Sequence, residues 1–65
     1  MKDLGKLKEA ELSLRKAIEL KPGLSTLHSN LGNILRDLGK LKEAELSTRK
    51  AIKIEPDFVK AYLNL

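Results

Sequence analysis

An eleven-residue segment, DLGKLKEAELS, occurs at residues 3–13 and again, without a single change, at residues 37–47. The offset is 34 residues, and placing residues 1–31 on residues 35–65 at this offset gives 18 identities in 31 pairs. A fixed period of this size is typical of repeat proteins, in which one unit cannot bury its own apolar face and a second unit stacked beside it can. The sequence therefore predicts two similar units that pack on each other.

Each unit has the pattern of amphipathic helices. In LKEAELSLRKAI, residues 7–18, the apolar residues step by three and four positions and so share one helix face: Leu7, Ala10, Leu14, Ala17 and Ile18. Two acid–base pairs have the i,i+4 spacing of ion pairs on exposed helix faces: Glu11 with Arg15 and Glu45 with Arg49. No strand is needed anywhere, and we predict an all-α fold.

Glycines and prolines mark the predicted helix ends. Two glycines lie where a left-handed residue would end one helix and let the next begin: Gly5 and Gly39. Two prolines close the second helix of each unit: Pro22 and Pro56. Ser25 and Asp57 have side chains suited to cap the helices that follow. These signals predict helices near residues 6–21, 25–38, 41–55 and 57–65.

Composition excludes several classes of protein. The 65 residues allow one small domain, and with no cysteine and one histidine the chain has neither a disulfide nor the usual zinc ligands. Apolar runs are too short for a membrane span or a secretory signal, so we expect a soluble, cytoplasmic chain. The net charge is +4 but the signs alternate, and the two aromatic residues, Phe58 and Tyr62, have helical spacing that suits packing better than base stacking. We therefore expect neither nucleic-acid nor membrane binding.

Catalysis is also not expected. The chain has no thiol and no phosphate-binding loop, and its three aspartates fall at predicted helix ends: Asp3, Asp37 and Asp57. His28 has no carboxylate or nucleophile beside it in the pattern, so we interpret it as a packing residue and not as a catalyst or ligand. No metal or other cofactor is implied.

With two helices per 34 residues and these glycines and prolines, the chain resembles the tetratricopeptide repeat family over essentially its whole length. Counted from Ser25, the pattern of the family's first helix falls on His28, Leu31, Gly32 and Leu35. The pattern of its second helix falls on Ala44, Thr48, Ala51 and Pro56, with Ala10, Leu14, Ala17 and Pro22 upstream. The small residues Gly32, Ala44 and Ala51 are expected where helices approach closely. The chain departs from the family at His28 and Thr48, which replace larger or aromatic residues.

The resemblance implies antiparallel helix hairpins stacked as a right-handed α-solenoid, with about two repeats in a shifted frame. Residues 1–24 would be the end of one repeat, residues 25–58 a complete repeat, and residues 59–65 the start of the next. The family also implies a protein-interaction scaffold whose first helices line a concave groove for extended peptides or partner helices. Matching that groove residue by residue gives Thr26, Ser29, Asn30, Asn33, Arg36, Asp37, Lys60, Leu63 and Asn64.

Asn30 and Asn64 stand one period apart, which would place two amides along one wall of the groove. This looks like the asparagine ladder in the repeat domain of O-linked N-acetylglucosamine transferases, since an Asn amide can donate to and accept from a peptide backbone. Capping or solvation is the alternative role for these two residues. The carboxylate clamp of chaperone-binding members is matched only in part, because Ser29 and Asn64 replace two of its basic residues.

A second hypothesis comes from a different class, a self-assembling structural unit. The chain would then form a homo-oligomer, either a head-to-tail stack or a dimer with exchanged helices. Its apolar contacts would join the first predicted helix of one copy to the last predicted helix of another: Leu7, Leu14 and Ile18 to Tyr62 and Leu65.

Overall fold

A computed structural model of the chain describes residues 3–57. This part contains helices α1 (Leu4–Leu20), α2 (Ser25–Asp37) and α3 (Leu41–Ile54), and no strand. The prediction of an all-α fold is confirmed for these residues. Helix α2 packs against both α1 and α3, and more extensively against α3, with which it forms a hairpin. Apart from Asp57, the helix predicted for residues 57–65 lies outside the described residues.

The turn between α2 and α3 depends on Gly39. Its φ is 85°, the left-handed region that residues with a Cβ rarely adopt. The N–H of Gly39 donates to the carbonyl oxygen of Arg36 at 3.0 Å, and the N–H of Lys40 donates to that of Leu35 at 2.8 Å. This is a Schellman motif, which satisfies the carbonyl groups at the end of α2. The predicted role of Gly39 is confirmed.

Gly5 differs from Gly39, although the same residues surround it in the sequence. It lies inside the first turn of α1, and the carboxylate of Asp3 accepts hydrogen bonds from the backbone N–H groups of Gly5 at 2.9 Å and Lys6 at 3.3 Å. Because this side chain satisfies the first free N–H groups, the helix begins before the glycine. The prediction that Gly5 separates two helices is therefore wrong for this structure.

Ser25 does not cap α2. It is the first residue of that helix, is 4% exposed, and donates its hydroxyl to Oε2 of Glu55 at 2.6 Å. The residue before it, Leu24, occupies the cap position and makes no capping hydrogen bond through its side chain. The hydroxyl that the sequence assigned to a local cap instead joins the start of α2 to the end of α3.

The core is small and lies between α2 and α3. Its buried apolar residues are Leu31, Leu35, Ala44 and Ala51. Gly32 lies where α2 and α3 are closest, since a Cβ at this position would stand 2.7 Å from Oγ1 of Thr48 and 3.2 Å from the carbonyl oxygen of Ala44. The expectation that helices approach closely at small residues is confirmed for Gly32 and Ala44, and Ala51 is buried.

Helix α1 adds two side chains to the same core. Leu14 and Ile18 are partly buried and pack against the cluster of Leu31, Leu35 and Ala44. The face that carries Leu14 and Ile18 is therefore partly covered within the chain, and its predicted contact with a second copy stays a prediction. Leu7, on the same face, is half-buried, while Tyr62 and Leu65 lie outside the described residues.

Candidate functional site

A polar stripe runs along α2. Thr26, Asn30, Asn33 and Asp37 step by four, three and four positions, which places them on one helix face. The opposite face carries Leu31 and Leu35 into the core. Thr26 and Asn30 are exposed, whereas Asn33 and Asp37 are half-buried. The structure thus presents the first two of these predicted groove residues to solvent.

Other predicted groove residues have different positions. Ser29 is 5% exposed, because Ser25, Ser29 and Gly32 share the flank of α2 that packs toward α3. Ser29 therefore has little surface to offer a ligand, and its place in the groove stays a prediction. Arg36 is exposed at the end of α2. Lys60, Leu63 and Asn64 lie outside the described residues.

A buried carboxylate links α1 to the beginning of α3. Glu11 is 8% exposed, and its Oε2 accepts a hydrogen bond from Nε of Arg15 at 2.9 Å. Nζ of Lys40 lies 3.4 Å from Oε1 of the same carboxylate, and Nη2 of Arg15 lies 3.4 Å from Oε1 of Glu43. The hydrogen bond from Arg15, followed by the contacts with Lys40, holds the pKa of Glu11 below its ordinary value against the opposing effect of burial.

The sequence predicted this Glu11–Arg15 pair on an exposed face. The pair exists, but the structure buries its carboxylate because Glu11 lies between Leu7 and Leu14 on the apolar face of α1. The position of Glu11 among these apolar residues was the sequence signal that could have predicted its burial. The equivalent pair one period later, Glu45–Arg49, is exposed as predicted, with Nη2 of Arg49 at 2.7 Å from Oε1 of Glu45.

His28 is held in the packing between helices. It is 8% exposed, and its Nε2 lies 2.9 Å from the carbonyl oxygen of Pro22. A carbonyl oxygen can only accept, so Nε2 carries the proton and donates. This contact fixes the ring between the end of α1 and the body of α2.

Two open grooves follow the helix contacts. The larger, about 460 Å³, lies between α1 and α3 and is lined by Arg15, Ile18, Glu19, His28, Leu31, Leu46, Ser47 and Lys50. The smaller, about 290 Å³, runs along α2 and α3 and is lined by Gly32, Asn33, Arg36, Leu41, Ala44, Glu45, Thr48 and Arg49. Both mix apolar walls with charged rims, as protein-binding surfaces do.

Metal and membrane sites were sought in residues 3–57. This part of the chain holds no cluster of three His, Cys, Asp or Glu side chains that could bind a metal ion. None of the helices α1 to α3 is long and apolar enough to cross a bilayer.

The 34-residue repeat, together with a hairpin that packs on helix α1, defines an α-helical repeat protein. The family model of the tetratricopeptide repeat matches residues 25–58, and a second model of the same repeat matches residues 2–24. The chain therefore belongs to the tetratricopeptide repeat family. Tetratricopeptide repeats generally mediate protein–protein interaction, and the family is typically a non-catalytic scaffold. A comparison with curated proteins gave no significant match.

Proposed function

We propose that the chain is a protein-interaction module that holds an extended peptide along the polar stripe of α2. The observation that carries this proposal is the exposure of Thr26 and Asn30 on a helix that is otherwise packed on two sides. An Asn amide can donate to a peptide carbonyl and accept from a peptide N–H, so Asn30 suits binding to the backbone. The exposed Arg36 adds a cation at the end of the stripe and favours acidic peptides.

The proposal includes Asn64 as a second amide, because it stands one period after Asn30 in the sequence. Two amides on equivalent positions would contact successive parts of one extended peptide. Such binding depends on the peptide backbone and therefore tolerates several peptide sequences.

Peptides selected from a random display library against the parent chain provide the probe. We expect the double variant Asn30→Ala, Asn64→Ala to bind the selected peptides about 25-fold more weakly, since each of the two lost hydrogen bonds reduces affinity about fivefold. Ser13→Ala changes an exposed hydroxyl on α1 and serves as the control. Equal affinities of the parent, the double variant and the control would exclude backbone binding through these amides.

A self-assembling structural unit is the second candidate. It is favoured by the α3 side of the smaller groove, where Leu41 is 66% exposed beside Glu45 and Arg49. A leucine beside charged residues matches the apolar centre and polar rim of protein–protein interfaces. Sedimentation equilibrium from micromolar to millimolar concentration tests this candidate, because a mass that stays at 7.3 kDa throughout would exclude it.

A further inference from the structure

The charged contact between α1 and α3 consists of two halves. Helix α1 supplies Glu11 and Arg15, and the beginning of α3 supplies Lys40 and Glu43. Each half has one acid and one base, and they meet so that Lys40 contacts Glu11 and Glu43 contacts Arg15. This charged quartet joins two successive units of the repeat.

Each half occurs a second time at an offset of 34 residues. Glu45 and Arg49 on α3 repeat the first half, and Lys6 and Glu9 on α1 repeat the second. Glu45 and Arg49 form the same i,i+4 ion pair as their counterparts on α1. Their side chains are 58% and 75% exposed, whereas the side chain of Glu11 is 11% exposed. Helix α3 thus presents an exposed acid–base pair, whereas the acid of the equivalent pair on α1 is buried.

The apolar residues nearby show the same difference. Leu41 is 66% exposed, whereas Leu7, its equivalent on α1, is half-buried. Leu41 and the exposed ion pair line one groove together with Arg36. Helix α3 therefore repeats the residues of α1 that contact α2 and α3. On α3 the equivalent residues Leu41, Glu45 and Arg49 are exposed in the described part of the chain.

We propose that this α3 face binds α1 of a second copy of the chain, in the register that the charged quartet already shows within one chain. Glu9 of the second copy then pairs with Arg49, and Lys6 of the second copy pairs with Glu45. The two halves are complementary in charge and identical in residue type to the observed pair of halves. This inference rests on the self-assembly candidate above and specifies its surface.

The Glu9–Arg49 contact repeats the observed Glu43–Arg15 contact with the same backbone geometry on both sides. Glu9 and Glu43 both lie within helices, as do Arg15 and Arg49, so their side chains leave equivalent backbones. Lys6 lies within the first turn of α1, whereas Lys40 precedes α3, so the long side chain of Lys6 must reach Glu45 from a different backbone conformation. The contact joins two different surfaces and therefore propagates from copy to copy.

Charge reversal in two separate chains tests the proposal. One variant carries Glu9→Arg and the other carries Arg49→Glu, so each alone places like charges at the interface. We expect each variant alone to associate about fivefold to tenfold more weakly than the parent at low salt. Mixing the two variants restores opposite charges at every contact, and we expect the mixture to associate as strongly as the parent. Raising the salt concentration should weaken association of both the parent and the mixture.

Lys42→Glu is the matched control for Arg49→Glu, because it makes the same change of charge on an exposed residue of α3 that lines neither groove. Circular dichroism of each variant verifies that the helices are retained. A parent chain that remains monomeric overturns self-assembly itself. A parent that associates while both reversed variants associate equally well, or while their mixture gains nothing over either alone, overturns the proposed surface and leaves self-assembly standing.

Discussion

The carboxylate of Glu11 is stable in a buried position because two cations share it. Arg15 and Lys40 keep nearly half of their side-chain surface in water, at 45% and 47% exposure, so the cluster is buried only on the side of the acid. Such an arrangement limits the desolvation of the bases while it neutralises the acid. Removing the negative charge would leave the polar contacts weaker and both bases without their shared partner.

We expect Glu11→Gln to lower the free energy of unfolding by about 1 kcal/mol, because a hydrogen bond to a charged group contributes about 1.5–3 kcal/mol and the amide oxygen of glutamine can still accept a weaker one. Glu45→Gln makes the identical change at the equivalent exposed position and should alter stability by less than about 0.5 kcal/mol. Urea denaturation followed by circular dichroism measures both variants. Equal effects at the two positions would show that the burial of Glu11 contributes nothing.

The effect of Glu11→Gln should depend on pH. The folded state holds the pKa of Glu11 below its ordinary value of 4.5, so folding favours the ionised form. A lowered pKa stabilises the folded chain at pH values above 4.5, and this contribution is lost as the pH falls through the folded value. The difference in stability between the parent and Glu11→Gln should therefore be constant near neutral pH and shrink in acid. A difference that grows in acid would contradict this assignment.

At the scale of helices, the repeated segment DLGKLKEAELS has a different backbone conformation in each of its two occurrences. In its first occurrence the segment is helical from Leu4 onward, with Asp3 as its cap. In its second occurrence Asp37 ends α2, Gly39 turns the chain, and a new helix begins at Leu41. The two occurrences have identical sequences, so the difference in conformation depends on the residues around them. Helix α2 runs directly into the second occurrence and ends at its first residue, Asp37.

Alanine in place of each glycine distinguishes these conformations. We expect Gly39→Ala to lower the free energy of unfolding by about 1 kcal/mol, because its φ of 85° is unfavourable for a residue with a Cβ. Gly5→Ala should change stability little, since the gain in helix propensity opposes the contact of its Cβ with Oδ1 of Asp3 at 3.2 Å. Thermal melting compares the two variants, and equal losses would mean that both glycines occupy turns.

The periodic spacing of apolar residues and the glycines and prolines at helix ends allowed much of the fold to be predicted. The boundaries expected for α2 and α3 agree with Ser25–Asp37 and Leu41–Ile54 to within one residue, because proline and the left-handed Gly39 act through local geometry. The first helix began earlier than expected because Asp3 supplied a cap. The burial of Ser29 and the contact between Lys40 and Glu11 were not predicted, since both depend on helices that are distant in sequence.

At the scale of the molecule, residues 3–57 contain few buried apolar side chains to stabilise the fold. Leu35 is the largest side chain that is fully buried among the described residues, while Leu12, Leu20 and Leu46 remain more than half exposed. A domain of this size usually needs additional contacts to reach high stability. Association with another chain is one source of such contacts.

We expect the melting temperature to rise with protein concentration, because folding and association are then coupled. Differential scanning calorimetry of the parent chain across the micromolar to millimolar range measures this dependence. The Arg49→Glu variant should show a smaller rise than the parent, and Lys42→Glu should follow the parent. A melting temperature independent of concentration would indicate that folding proceeds in isolated chains.

The left-handed turn at Gly39 also has a stereochemical consequence. A glycine with φ of 85° has the backbone geometry that a D-amino acid prefers, whereas a glycine in the first turn of α1 has the geometry of an L-amino acid. Two glycines with the same neighbours in sequence therefore have backbone conformations of opposite handedness, left-handed at Gly39 and right-handed at Gly5. In a chemically synthesised chain, D-alanine would be accommodated at position 39 and would disrupt the helix at position 5, so the chirality of a single methyl group distinguishes the two occurrences of the repeat.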